Sequence, residues 1–303
     1  MTANRYPHLT NHVQNTPWAI TSDKMLVIMD LLGFYAAGHK FTAEEIQERI
    51  GAAQRPTSRA SGAVAVLPLY GVIAQRAGLM TETSGGTSTE QFTRMFRSAL
   101  ADTQVGAIVI DVDSPGGTVN GVEELSAEIY AARGAKPIVA VANSLAASAA
   151  YWIATAADEL VVTPTGEVGS IGVLAAHEDD SAHFEQQGIK TTLISAGKYK
   201  VEGNPYEPLS DEARAYLQER VSDYYDMFVG AVARNRGAGI QAVRNGFGEG
   251  RVVGAKQAKA LGMADRIDTL DDTIARLQTG RRTRAQTRAE IDRRERRLRA
   301  MGR

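Results

Sequence analysis

The chain has 303 residues, 44% of them hydrophobic and 23% charged, with a net charge of −1. That is the profile of a globular protein with room for one large domain plus appendages, or for two domains. It has no cysteine, which excludes a disulfide framework, a thiol nucleophile and a cysteine zinc site. No apolar run approaches the roughly 18 residues of a membrane helix: the best candidate, Met25–Ala37, is short and contains Asp30.

The first ten residues lack the charged-then-apolar pattern of a signal peptide, so a cytoplasmic protein with no membrane contact is expected. The charge is uneven. Arg281–Arg303 carries ten arginines against Glu290, Asp292 and Glu295, +7 on a basic tail and −8 on the remainder. An acidic body with a basic tail suggests that the tail meets something acidic.

Residues 1–61 read as an N-terminal helical arm and linker. Thr21 or Ser22 can cap a helix carrying Leu26, Met29 and Leu32 on one side. Thr42, Ala43, Glu44 and Glu45 form a capping box, with Phe41 and Ile46 as its hydrophobic staple, and predict a short helix to Ile50. The arm suits packing or oligomerisation, or alternatively a pro-segment or partner-docking role. Residues 62–278 read as the main domain and 279–303 as a tail, helical or disordered.

The main domain opens on A-V-A-V-L-P-L-Y-G-V-I from Ala63. Pro68 places that strand near a sheet edge or at a bulge. Residues 76–88 read as a flexible loop, and Ser88 or Thr89 starts a helix with Phe92, Met95, Phe96 and Leu100. Ala107–Val112 and Pro137–Ala142 are continuous apolar strands, as expected when both faces are buried. Helices are expected at Val119–Ala132, Ala147–Ala157 and Ser181–Gly188, and further strands at Glu159–Thr163 and Thr191–Ser195. A long helix from Ser210 carries Leu217, Val221, Tyr224, Phe228 and Val232 as one stripe and stops near Gly237. Gly250–Leu270 reads strand, helix, glycine stop, short strand, and a helix over Asp271–Leu277 closes the domain. Strands alternating with helices give an α/β fold with parallel strands.

The chemistry concentrates between Ile108 and Lys200. Ser114-Pro115-Gly116-Gly117 follows a buried strand, and two glycines there free backbone N–H groups to point outward. The turn reads either as a plain strand-to-helix connection or as an oxyanion hole with Gly117 and Gly116 as donors. Ser148, in A-A-S-A-A, follows a strand and begins a helix among small neighbours. It reads as a helix cap or as a nucleophile, with the Ala149 N–H as a further oxyanion donor; Ser144 is the rival hydroxyl.

A serine nucleophile needs a base. Lys200 follows the T-T-L-I-S segment and could reach the strand edge, provided desolvation lowers its affinity for a proton. Lys198 is its neighbouring rival, and Ser170 in G-S-I-G-V could orient the amine. His177, with Asp179 or Asp180 as its acid, is the competing base.

The ordered set S-P-G-G, A-A-S-A-A-Y-W-I-A, G-S-I-G-V, G-K-Y-K and G-R-V-V-G-A-K-Q-A-K-A-L-G-M-A-D resembles the signal peptide peptidase A family of serine–lysine peptidases over residues 62–275. The resemblance implies Ser148 as nucleophile, Lys200 as base, Ser170 assisting it and Gly117 in the oxyanion hole. It departs at Ala149 and Ala150, where the family often has glycine, and in lacking the N-terminal anchor of the bacterial membrane members. The T-P-W-A-I-T opening, the L-P-L-Y-G-V-I strand and the helical arm are more similar to the bacteriophage branch, the head-maturation proteases that cleave scaffold, portal or capsid proteins.

The fold implied is a Clp-protease/crotonase-like superhelix of β-β-α units that forms homo-oligomeric rings. The chemistry implies protein substrates and requires no cofactor and no metal. On this reading the basic tail is a solvated helix or a docking tail for scaffold or capsid. Nucleic-acid contact is a lesser alternative, because the run lacks interleaved aromatics for base stacking. An inactive assembly component and crotonase-type chemistry on acyl-CoA are the other readings of the fold, and a cytoplasmic bacterial relative is the other origin.

Overall fold

The computed structural model describes Val13 and residues 16–36, 59–61, 63–76 and 86–279. The expected helix after Thr42, most of the 76–88 loop and the basic tail lie outside these residues.

The architecture is α/β, built on an eight-stranded sheet. Its centre is three parallel strands, β3 (Val64–Tyr70), β6 (Ala107–Ser114) and β8 (Ile138–Ala147). The apolar run of β6 is buried on both faces. Ile108, Ile110 and Val112 join the cluster of Phe92, Phe96, Leu125 and Trp152. Val109 packs on the other side with Val64, Val66, Val139, Val141, Leu270 and Ile274.

Strand β2 (Arg59–Ser61) pairs antiparallel with β3 but reaches only Val66. Among the described residues Pro68 therefore sits beyond the β2 ladder on the second edge of β3, as expected of a proline in a strand. Strand β8 divides its far edge. Val139–Ala142 pairs with β9 (Glu159–Val162), and Leu145–Ala147 pairs with β10 (Glu167–Gly169). Beyond these, β11 (Val252–Gly254) pairs with β10 and β12 (Arg266–Ile267) with β9.

The expected β-β-α repeat is present. After β3, the chain makes β4 (Ile73–Ala74), β5 (Thr87–Ser88) and a helix over Thr89–Ala101. After β6 it makes β7 (Gly116–Thr118) and a helix over Val122–Ala131. The short strands form a second sheet in the order β1-β7-β4-β5, where β1 is Trp18–Ile20. Nothing in the sequence pattern announces this second sheet, because its strands are two or three residues long.

In chain order the helices are α1 (Ser22–Ala36), α2 (Thr89–Ala101), α3 (Val122–Ala131), α4 (Ala149–Thr155), α5 (Ser181–Gln186), α6 (Asp211–Arg236), α7 (Ile240–Gly246), α8 (Ala255–Ala260) and α9 (270–279). Caps fall where polar residues precede apolar periodicity. Ser88 Oγ accepts from the Gln91 amide and Ser210 Oγ from the Ala213 amide, and Gly237 ends α6 in the left-handed region.

Three expectations are corrected. In α1 the buried face is Met25 and Ile28, while Leu26 is 65% exposed; the helix turns toward Trp18, Ile20 and Val72 rather than toward a leucine stripe. In α6 the expected stripe is buried only at Phe228 and Val232, and its first half stands partly clear. Residues Thr191–Ser195 form no strand: the segment is exposed, with Ile194 96% accessible. A β-prone stretch without a neighbouring strand has no ladder to join.

Candidate active site

Ser148 stands between β8 and α4, with φ 56° and ψ −119°. A non-glycine residue at positive φ is strained and persists only where its surroundings over-determine it. Here they do. The Ser148 amide donates to Gly169 O (2.8 Å), and its carbonyl accepts from the Trp152 amide (2.9 Å). The preceding Ala147 is locked in register with Gly169.

The helix behind Ser148 is equally fixed. Every residue of α4 is buried. Trp152 stacks on Phe228 of α6 at 4.6 Å, and its indole N–H donates to Glu123 of α3 (3.0 Å). The Tyr151 hydroxyl donates to Met263 O. Asn235 donates from its amide to Thr155 Oγ1 and Ser126 Oγ, tying α6 to α4 and α3.

Arg133 closes the other end of the helix, donating to the carbonyls of Thr155, Ala156, Ala157 and Asn235. A cation there satisfies orphan carbonyls and complements the helix dipole. Sequence reading gave Arg133 no role, because nothing local in A-A-R-G-A distinguishes it from a surface arginine.

The glycine turn lies directly against the serine. Gly116 has φ +99°, and a Cβ there would stand 3.0 Å from Ser148 Cβ and 2.2 Å from Ala19 O. A Cβ on Gly117 would stand 1.8 Å from Ile73 O. Both positions therefore require glycine, one for conformation and approach, the other for approach alone. Ser114 Oγ holds the turn by donating to Gly71 O (2.6 Å) and accepting from the Gly116 amide (3.2 Å).

On the opposite side Ser148 Oγ donates to Gly172 O (3.4 Å). Gly172 belongs to the G-S-I-G-V loop, but its contact with the nucleophile candidate was not anticipated. Ser170, 9% exposed and itself at φ 53°, donates its amide to Arg251 O. That contact ties the loop to the C-terminal G-R-V-V segment.

The structure thus brings together Ser148, Gly116, Ala149 and the Gly169–Gly172 loop, with Gly117 next along the turn. It does not bring Lys200 to them: Lys200 is exposed in a turn after Gly197 and makes no hydrogen bond to Ser148. Its rival is committed elsewhere. Lys198 Nζ donates to Glu212 and Tyr199 at 2.8 Å each, and these partners favour its protonated form. His177 Nε2 lies 3.1 Å from Asn204 O, not against the serine.

Behind the site, Arg236 forms a two-pronged ion pair with Asp265, 2.7 Å on each prong. Burial alone would raise the Asp265 carboxyl. The guanidinium fork and the Leu160 amide outweigh it and hold the group below its ordinary value. Among the described residues no helix is long and apolar enough to cross a membrane.

The family model for peptidase family S49 matches residues 131–284. The head-tail preconnector protein GP5 of Enterobacteria phage P21 is 35% identical over 237 residues, covering 78% of this chain and 47% of that protein. Capsid assembly protease C of Escherichia phage lambda is 33% identical over 265 residues, covering 82% and 60%. The chain therefore spans only about half of the length of these relatives. Among solved structures, ClpP1 of Listeria monocytogenes aligns with a TM-score of 0.43 at 16% identity, over 68% of this chain and 92% of that one. With a match across half its length, which takes in the Ser148 helix and the Gly169–Gly172 loop, the chain belongs to peptidase family S49.

Proposed function

We propose that the protein is a serine endopeptidase with Ser148 as nucleophile and Lys200 as general base. The observation that carries this reading is the strained Ser148, wedged between a glycine turn and the Gly172 carbonyl at a strand-to-helix junction. In the reaction, neutral Lys200 takes the Oγ proton as Oγ adds to the scissile carbonyl carbon. The N–H groups of Gly117 and Ala149 receive the oxyanion, since the Gly116 N–H is engaged by Ser114 Oγ. The carbon–nitrogen bond breaks, the lysine proton passes to the leaving amine, and water hydrolyses the acyl-serine. Ser170 orients the amine.

A lysine serves as base only when desolvated, so the segment carrying Lys200 must close over the site. That segment presents Ile189, Leu193, Ile194 and Tyr199 to solvent. We assign its closure to self-association, in keeping with a homo-oligomer. The two phage relatives support substrates among scaffold, portal or capsid proteins of an assembling phage head, and location there or in the host cytoplasm. The proposed acyl-serine chemistry itself calls for no cofactor.

The test is mass spectrometry of products from the wild type, Ser148→Ala, Lys200→Ala and His177→Ala, each incubated with unfolded protein and with co-expressed scaffold and capsid candidates. Cuts made by the wild type and by His177→Ala alone establish the serine–lysine reading. Cutting by Lys200→Ala but not Ser148→Ala moves the base elsewhere. Cutting by Ser148→Ala overturns the nucleophile.

A further inference from the structure

The glycine strand β7 has both edges taken. On one side Gly117 pairs with Ile73 of β4. On the other, β1 runs antiparallel in the register Trp18↔Thr118, Ala19↔Gly117, Ile20↔Gly116. The far edge of β1 is paired too. The Trp18 amide donates to Leu174 O and the Leu174 amide to Trp18 O, each at 2.9 Å. The N-terminal strand is therefore clamped between two stretches of chain, and each of them touches Ser148, one through Gly116 and the other through Gly172.

The register places one carbonyl of this strand at the candidate oxyanion site. The bonds Thr21 N–H to Pro115 O and Val119 N–H to Pro17 O flank the Ala19–Gly117 pair. Hydrogen-bonded and non-hydrogen-bonded pairs alternate along an antiparallel ladder, so Ala19 and Gly117 form a hydrogen-bonded pair. The Gly117 N–H is then directed at the Ala19 carbonyl, the same oxygen that crowds Gly116 on the serine side. Trp18, Ala19 and Ile20 are 2%, 0% and 4% exposed, and the Trp18 indole is pinned to Val13 O. Past Ile20 the strand leads to a cleft of ≈ 350 Å³ bordered by Thr21, Pro115, Leu145 and Glu167.

We infer that residues 16–21 occupy the groove through which a substrate peptide reaches Ser148, so that substrate binds by displacing the chain's own strand. The inference rests on Ser148 being the nucleophile. The bland alternative is that β1 is a permanent strand of the small sheet. In that case no extended peptide could pair with Gly116–Thr118 at all, because β4 and β1 fill both its edges. The strand is also placed to leave. Trp18 and Ile20 belong to a small separate cluster with Val13, Met25, Ile28 and Val72, and only Ala19 enters the main core. The occupant describes its competitor: an extended segment with a small residue where Ala19 stands and apolar residues on either side.

The first arm of the test compares the full chain with Trp18→Pro, which lacks the N–H that bonds Leu174. An unfolded protein serves as substrate, and a fluorophosphonate probe reports Ser148. A self-occupied groove lowers apparent affinity by the fraction of time it is open, so Trp18→Pro is expected to lower KM about tenfold or more with kcat little changed. The second arm uses Ser148→Ala, with no change in the strand. Saturating unfolded substrate is expected to speed amide hydrogen exchange at Trp18 and Thr21, whose N–H groups leave Leu174 O and Pro115 O, while the central strand β6 stays protected.

A cut beside Ala19 in the wild type, absent from Ser148→Ala, also supports occupancy. Two results overturn the inference. One is an unchanged or raised KM in a folded, probe-reactive Trp18→Pro; the other is unchanged exchange at Trp18 and Thr21 with substrate bound. Loss of the underlying reading shows differently, as proteolysis that survives in Ser148→Ala.

Discussion

The two halves of the proposed dyad sit in opposite physical settings. Ser148 is fully buried, strained, and held by backbone bonds on both of its own peptide groups. Lys200 is exposed in a segment with no regular structure, which also carries the nearly bare Ile194. The proposed nucleophile is thus preorganised by one folded chain, and the proposed base is not. Rigid positioning of a nucleophile costs stability in the residues that enforce it, whereas a mobile base leaves the site inert until something closes it. Under the proposed function the contrast acts as a safeguard, with the reactive half built in and the activating half conditional.

The sharpest way to break the anchored half is Gly117→Ala. Its Cβ would overlap the Ile73 carbonyl at 1.8 Å, and that carbonyl is backbone. The ladder between β4 and β7 must part, and peptidase activity should fall by about a hundredfold to a thousandfold, the scale for losing an oxyanion donor. Gly172, by contrast, has open space at its Cβ position. Gly172→Ala should leave the fold intact by circular dichroism, and a comparable collapse in that variant would count against the steric account.

Next in size is Arg133→Ala. It strips four carbonyls of a half-buried cationic partner. Unsatisfied buried groups cost about 1–3 kcal/mol each and are not additive. We expect about 3 kcal/mol of lost stability in denaturant melts, with the variant still labelled at Ser148 when folded. A loss below about 0.5 kcal/mol, the surface-substitution range, would mean the arginine does not hold α4.

How much of this was legible in the sequence follows the same divide. Continuous apolar strands, the Ser88 and Ser210 caps and the Gly237 stop were readable, because local periodicity and turn chemistry determine them. Ser148, Gly116 and Ala149 fall together as expected, each within a few residues of a strand end. The Arg133 cap and the pairing of Trp18–Ile20 with Gly116–Thr118 were not readable. Both depend on partners far away in the chain, and a three-residue strand has no period to detect. The expected strand at Thr191–Ser195 shows the converse error: β-propensity describes a residue that suits a sheet and does not supply the sheet.

A smaller effect separates the anchored half by pH. The Asp265 carboxyl is held below its ordinary value in the folded state, against burial, by Arg236 and the Leu160 amide. Its stabilisation is therefore present above the unfolded pKa, about 3.9, and is lost as pH falls through the folded value. Asp265→Asn should lower stability by a near-constant amount above about pH 5, and the gap to the wild type should close on acidification below about pH 4. A gap that widens with acid would reverse the sign of the linkage.

The smallest effect on stability, and the most informative for the conditional half, is expected from Ile194→Ser. At 96% exposure the side chain contributes almost nothing to the folded chain, so the melt should move by less than about 0.5 kcal/mol. If self-association is what closes the Lys200 segment over Ser148, the same change removes apolar area from the closing surface. Activity per chain should then fall, and sedimentation should show the assembly dissociating at higher concentration than in the wild type. Fluorophosphonate labelling of Ser148 should fall with activity, because the reagent needs an activated hydroxyl. If Ile194→Ser leaves both assembly and labelling at wild-type levels, the segment closes by folding within one chain. The base would then be conditional on local ordering rather than on a second copy.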